Sequence, residues 1–159
     1  PDGAGVVKAA KILGRPLPGK VAGVELGERM LAVCAARGDG VYFLGAKPGV
    51  AEEAAKRMCS KYPGLSVVGT HDGYFKKSGE ESDAVVSAIN ASGAKLLFVC
   101  LGGSLDVYAG VAQRAPKFFV DHSLEWFYRL MKEPKRIGRM MKLPKFLFGT
   151  YLAKIRGKA

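Results

Sequence analysis

Asp39-Gly40-Val41-Tyr42-Phe43-Leu44-Gly45-Ala46-Lys47-Pro48-Gly49-Val50 holds a turn, a buried strand, a second turn and the first residue of a helix. Ahead of it, Val24, Met30, Leu31, Val33 and Cys34 recur with helical spacing through Glu25 to Arg37, and Gly38 followed by Asp39-Gly40 stops that helix. Val41 to Leu44 is a short apolar run bounded by turn residues, the pattern of a strand covered on both faces. The turn Gly45 to Gly49 then leads into a helix from Val50 to about Tyr62, which Pro63-Gly64 ends. Further along, Leu65 to Val68 reads as a strand, Glu80 to Asn90 as a helix and Lys95 to Leu101 as a strongly apolar third strand. Alternating strands and helices predict an α/β fold, a Rossmann-like parallel sheet with helices on both faces.

The whole chain has 159 residues and a formal charge of +11, and 48% of it is apolar, enough for one core with an appendage. Its longest apolar run, Leu96 to Leu101, is far short of the ~18 residues a spanning helix needs, and no export signal is visible. Cys34, Cys59 and Cys100 are odd in number and widely spaced, which fits neither a disulfide framework nor a zinc knuckle and agrees with a reducing, cytoplasmic compartment. The charge is concentrated in the tail. The first 114 residues hold 14 basic and 11 acidic side chains, whereas the last 45 hold 11 and 3. Texture changes as well, because from Leu124 the chain reads as short basic helices punctuated by Pro134 and Pro144. The predicted division is a catalytic core over 1–122 and a basic amphipathic appendage over 123–159.

Open parallel sheets bind ligands beyond the carboxyl ends of their strands, which directs attention to Gly45 to Gly49, Gly69 to Tyr74 and Leu101 to Asp106. Gly45 and Gly49 bracket a lysine before a helix, so backbone N–H groups could meet a phosphate there, or the glycines could serve the turn alone. His71 and Asp72 resemble a metal or catalytic pair, but a chain with two histidines and no D-x-D pattern leaves a metal short of ligands. Tyr74 suits a platform for a base or sugar, with a core aromatic as the alternative. In the tail, Arg129, Arg136 and Arg139 are spaced to share a broad helical face, and arginine grips phosphate oxygens bidentately. Trp126, Phe127 and Phe146 to Phe148, interleaved with lysines, suit a membrane interface, against the plainer reading of a solvated basic face over a core stripe.

Seven segments in order resemble the WecG/TagA/CpsF family of bacterial glycosyltransferases. They are Pro1-Asp2-Gly3-Ala4-Gly5-Val6-Val7, Lys20-Val21-Ala22-Gly23-Val24-Glu25-Leu26, Phe43 to Glu52, Gly69-Thr70-His71-Asp72-Gly73-Tyr74-Phe75, Leu105-Asp106-Val107-Tyr108-Ala109-Gly110, Arg114-Ala115-Pro116 and Glu125 to Arg136. The likeness is strongest to the TagA branch. It implies a GT-E type fold and a metal-independent, inverting transfer of N-acetylmannosamine from UDP-ManNAc to undecaprenyl-diphosphate-linked GlcNAc, a step of wall teichoic acid synthesis on the inner membrane face. By the same resemblance Asp2 is the general base, and Arg129, Arg136 and Arg139 belong to the appendage that closes over the site. Lys20, Gly45, Gly49, Tyr74, Gly102 and Asp106 contact the nucleotide sugar, with no cofactor. Lys20 stands where the family usually has arginine and cannot make the same planar fork. A region before Pro1 carrying a pocket threonine, and a Pro-Lys-Gln-Glu segment between the equivalents of Leu101 and Gly103, have no counterpart here. Losing the second would take a strand from the sheet and a glutamine from the site.

Lys132, Lys135, Lys142 and Lys145 are then expected to dock the appendage on anionic lipid. Off the membrane, the apolar tail residues could pack on another subunit, as a homo-oligomer. Three alternatives stay open at this level: a relative using another UDP-sugar for polysaccharide synthesis, a nucleotide-binding regulator without catalysis, and a basic nucleic-acid-binding module. The last is disfavoured because the charge sits on short amphipathic helices and no nucleic-acid-binding motif is present.

Overall fold

Strand β1 (Gly40–Gly45) is the central strand of a three-stranded sheet, and its Val41, Tyr42 and Phe43 are all buried. The computed structural model describes residues 3–100, 103–122, 124–132, 134 and 137–157, with the side chains of Ala4, Arg129, Arg139 and Met140 outside the description. In chain order the other elements are α1 (Ala4–Ile12), α2 (Gly23–Arg37), α3 (Val50–Lys61), β2 (Ser66–His71), α4 (Glu80–Ala91), β3 (Leu96–Cys100) and α5 (Ser104–Tyr108). They are followed by α6 (Lys117–Asp121), α7 (Glu125–Lys132), α8 (Ile137–Met140) and α9 (Lys142–Ile155). The chain divides into two compact units, residues 23–113 and residues 1–22 with 114–159.

Within 23–113 both pairings of β1 are parallel, and the sheet order is β2-β1-β3. This is the predicted α/β architecture, a parallel sheet flanked by helices. The chain steps from β1 to β2 and then back across β1 to β3, so the right-handed rule for such crossovers puts α3 and α4 on opposite faces. Val41 and Phe43 alternate with Tyr42 and join one cluster with Leu31 and Cys34 of α2, Ala51, Ala54 and Met58 of α3, and Leu105 and Tyr108 of α5. Phe43, fully buried, is worth about 1.5–3 kcal/mol relative to exposure. Two glycines permit close packing here. A Cβ on Gly27 would lie 2.5 Å from both the Phe98 ring and the Tyr108 hydroxyl, and one on Gly69 would lie 2.4 Å from the Tyr42 ring. The Tyr108 hydroxyl donates to the Val24 carbonyl at 2.7 Å, which fixes α5 to the start of α2.

The other unit is helical. Helix α1, which the sequence reading did not assign, packs against α9, and Gly5 makes room for Leu143. Pro144 lies in the first turn of α9 rather than separating two helices, because the N–H it lacks has no intrahelical acceptor there. Phe119 and Tyr128 stack with ring centroids 5.3 Å apart, joining α6 to α7, and the Lys20 ammonium is ion-paired with Glu125 at the start of α7.

Candidate functional site

The carboxyl edge of the sheet is built from the backbone outward. Gly45 ends β1 at φ 131°, and a Cβ there would stand 2.6 Å from the Cys100 carbonyl oxygen, so β1 and β3 can approach only with glycine at this point. Ala46 follows at φ 64°, the one non-glycine residue with positive φ among those described. A left-handed alanine is held against its own preference, and such strain concentrates at functional sites. Its carbonyl accepts the Gly73 N–H at 2.9 Å, which laces the turn after β2 to the turn after β1. Gly49, at φ 82°, begins α3. The gap between the carboxyl ends of β1 and β3, where the strand order reverses, is where folds of this kind hold a ligand.

Side chains on this edge are mostly turned to solvent or to one another. Tyr74 is 71% exposed, so it is no core aromatic, and its N–H is held by the Asp72 carboxylate at 2.6 Å. His71 places Nδ1 2.9 Å from the Asp72 carbonyl and its ring edge-on to Phe75, which makes Nδ1 the donor and leaves Nε2 for other partners. Lys77 donates to the Gly73 carbonyl at 2.7 Å while its ammonium lies 3.3 Å above the Phe75 ring. Glu52 and Glu53 occupy the first turn of α3; Glu52 accepts from the Thr70 hydroxyl at 3.3 Å, and the hydrogen bond from Arg57 holds the pKa of the Glu53 carboxyl below its usual range. Two carboxylates at a helix start already satisfy its positive end, so this turn suits a neutral sugar or base better than a phosphate. Asp106 lies half-buried in the first turn of α5. Burial pushes the Cys100 thiol up, with the Asp106 charge adding to the effect. Among the described residues no group of three or more His, Cys, Asp or Glu is placed to hold a metal ion.

Gly45, Gly49, Tyr74 and Asp106 therefore belong to the carboxyl edge of the 23–113 unit. Lys20, Lys132, Lys142 and Lys145 belong to the helical unit, where Lys20 is engaged by Glu125 and the other three are exposed. Lys132 stands 5.9 Å over the Tyr128 ring. Arg129 lies on α7 and Arg139 on α8, with their side chains outside the described residues; Asp2, Gly102, Lys135 and Arg136 lie wholly outside them. Helix α9 turns Leu143 to α1 and buries Thr150, whereas Phe148, Tyr151 and Ile155, three, four and seven residues apart, are all more than half exposed. No helix among the described residues is long and apolar enough to cross a membrane. The left-handed Ala46 and the Lys20–Glu125 pair were not anticipated: nothing in Gly-Ala-Lys-Pro-Gly marks its alanine as strained, and the two charges are 105 residues apart.

Two cavities, of about 220 and 510 Å³, lie elsewhere, lined by α2 with Tyr62 and by α2 with the amino ends of β1 and β3. Neither contains a predicted site residue.

Among known proteins, the chain is 34% identical over 171 residues to an N-acetylglucosaminyldiphosphoundecaprenol N-acetyl-beta-D-mannosaminyltransferase of Bacillus spizizenii, an alignment covering 92% of this chain. The chain spans 65% of that relative's length. The sequence model of the Glycosyl transferase WecG/TagA/CpsF family matches residues 1–104 and residues 97–159, which together take in every segment singled out above. The chain belongs to the WecG/TagA/CpsF family of glycosyl transferases.

Proposed function

We propose that this chain carries the catalytic apparatus of an inverting glycosyltransferase that moves N-acetylmannosamine from UDP-ManNAc to undecaprenyl-diphosphate-linked GlcNAc, in the linkage unit of wall teichoic acid. The observation that carries the reading is the 34% identity to a transferase of that name over 92% of the chain. The open carboxyl edge of a parallel sheet, with a strained turn and an exposed tyrosine, is the support the fold adds.

In this reading Asp2 removes the proton from the acceptor hydroxyl as its oxygen attacks the anomeric carbon. The bond from that carbon to the UDP oxygen breaks, and UDP leaves with the electron pair. General-base help of this kind is worth about 10²–10⁴ in rate. Negative charge grows on the departing diphosphate, and Arg129, Arg136 and Arg139 neutralise it, because Glu52 and Glu53 make the start of α3 a poor place for that charge. Tyr74 stacks on the uracil or sugar, Gly45, Gly49 and Gly102 let backbone approach it, Asp106 hydrogen-bonds a sugar hydroxyl, and Lys20, paired with Glu125, is oriented toward the substrate. Lys132, Lys135, Lys142 and Lys145, with the apolar stripe of α9, hold the protein on the inner leaflet as a peripheral protein where its lipid acceptor lies.

The test is a transfer assay with a lipid-diphosphate GlcNAc acceptor and the two donors UDP-ManNAc and UDP-GlcNAc side by side. Product from UDP-ManNAc alone supports the proposal. Product only from UDP-GlcNAc moves the chain to another branch of the family, and donor binding without product makes it a regulator.

A further inference from the structure

The loop after β2 is held from three sides. The Gly73 N–H donates to the Ala46 carbonyl at 2.9 Å, the Tyr74 N–H to the Asp72 carboxylate at 2.6 Å, and the Lys76 N–H to Glu81 of α4 at 2.8 Å. A Cβ on Gly73 would lie 3.3 Å from the Ala46 carbonyl oxygen, so this loop and the strained turn after β1 are closed against each other. His71, the last residue of β2, is half-buried at the root of the loop. Its neighbour Thr70 turns to Glu52 of α3, so strand alternation puts His71 on the opposite face, the one on which Gly69 meets the Tyr42 ring. Phe75 packs edge to face with the imidazole, centroids 5.2 Å apart. The tautomer is set as well as the position. Nδ1 lies 2.9 Å from the Asp72 carbonyl oxygen, which can only accept, so Nδ1 carries the hydrogen and Nε2 of the neutral ring carries a lone pair. Among the described residues Nε2 has no hydrogen-bond partner.

We propose that His71 reads the nucleobase of the sugar donor: its Nε2 accepts the uracil N3–H, and Asp72 is the residue that positions it. The assignment rests on the nucleotide-sugar reading above and concerns a residue to which that reading gives no role. UDP-N-acetylmannosamine has two groups that only donate hydrogen bonds, the uracil N3–H and the acetamido N–H, whereas its hydroxyls both give and take and are indifferent to the tautomer. Tyr74, 71% exposed in the same loop, is the stacking surface for a base, which selects N3–H. The consequence is specificity. Cytosine carries a lone pair at N3, so an acceptor fixed at that point favours uridine over cytidine nucleotides.

Calorimetric titration of the intact chain with UDP, CDP and N3-methyl-UDP, at about pH 8 where an ordinary imidazole is neutral, tests this. UDP should bind at least about tenfold tighter than the other two. His71→Phe, which keeps a ring against Phe75, should bring all three within about twofold of one another. Asp72→Ala should weaken the preference for UDP, and Asp72→Asn, which retains an accepting oxygen for the Tyr74 N–H, should restore it. Nitrogen-15 NMR of the unmodified chain, which has two histidines, gives a second reading that no variant's folding affects. His71 should be protonated at Nδ1, and its Nε2 signal should move further with UDP than with saturating N3-methyl-UDP. Equal affinity for UDP and N3-methyl-UDP overturns the proposal while the transferase reading stands, and so does a preference that His71→Phe retains or a hydrogen found on Nε2. If His71→Phe weakens UDP-ManNAc but not UDP, the residue faces the sugar and the base assignment falls. Failure of Asp72→Asn to restore the preference removes Asp72 from the positioning role. A chain that binds no UDP at all overturns the donor reading itself, and this proposal with it.

Discussion

Gly45 and Ala46 are neighbours with opposite needs. Gly45 has no room for a side chain, with the Cys100 carbonyl 2.6 Å from the position of a Cβ, and Gly45→Ala should cost about 1–3 kcal/mol in urea unfolding. Ala46 adopts a left-handed backbone that glycine would accept freely, so Ala46→Gly should raise stability by about 0.5–1 kcal/mol. If the strain serves donor binding, the same change should weaken UDP-sugar affinity; stability and affinity rising together would separate the turn from the site. For the two residues on which the chemistry is placed, the expected effects differ in kind. Asp2→Asn should abolish sugar transfer with UDP-sugar binding nearly intact, and near-normal turnover would remove Asp2 from the base role. Arg136→Ala should lower the rate at an unchanged melting temperature, while an unchanged rate would return that arginine to a solvated face.

Helix α9 uses two sides. One is occupied, with Leu143 against Gly5 of α1 and Thr150 buried with its hydroxyl on the Phe146 carbonyl. The other presents Phe148, Tyr151 and Ile155 to solvent, with Lys142, Lys145 and Lys154 on the same helix. An apolar stripe beside lysines is the pattern of a helix lying in a bilayer interface. Each large side chain inserted contributes about 1.5–3 kcal/mol, so Phe148→Ser with Ile155→Ser should cut co-sedimentation with anionic vesicles at least about tenfold without loss of helicity. Lys142→Glu with Lys145→Glu should weaken binding most at low salt, at about 1 kcal/mol per basic residue. Equal pelleting by all these variants would dismiss the membrane role of α9.

For the molecule as a whole, every member of the core cluster, from Leu31 to Ala109, comes from the 23–113 unit. That unit should therefore fold alone, with far-UV circular dichroism of an α/β protein and a single cooperative unfolding transition. A fragment 23–113 without cooperative unfolding would show that its sheet depends on the remaining helices. The helical unit, built from both ends of the chain, should not form from 114–159 alone, because α9 would lack α1.

The amino-acid sequence by itself determined the three strands, the helices between them and the parallel sheet, because local periodicity and turn residues specify elements whose partners are close along the chain. Gly38, Gly45, Gly49 and Pro63-Gly64 mark their boundaries to within a few residues. The segments beyond the strand ends were legible only in part: β2 runs on to His71, so of the stretch Gly69 to Tyr74 expected to follow it only Asp72 to Tyr74 lie past the strand, because the apolar pattern fades at Gly69 while the ladder with β1 continues. Only the tertiary structure decided that α1 belongs with α9, that Lys20 meets Glu125, that Ala46 is the strained residue of its turn, and that Leu97 and Val99 remain exposed. Each of these is set by what a residue meets across space, at separations of up to 138 residues for Gly5 and Leu143, and periodicity along the chain carries no record of that.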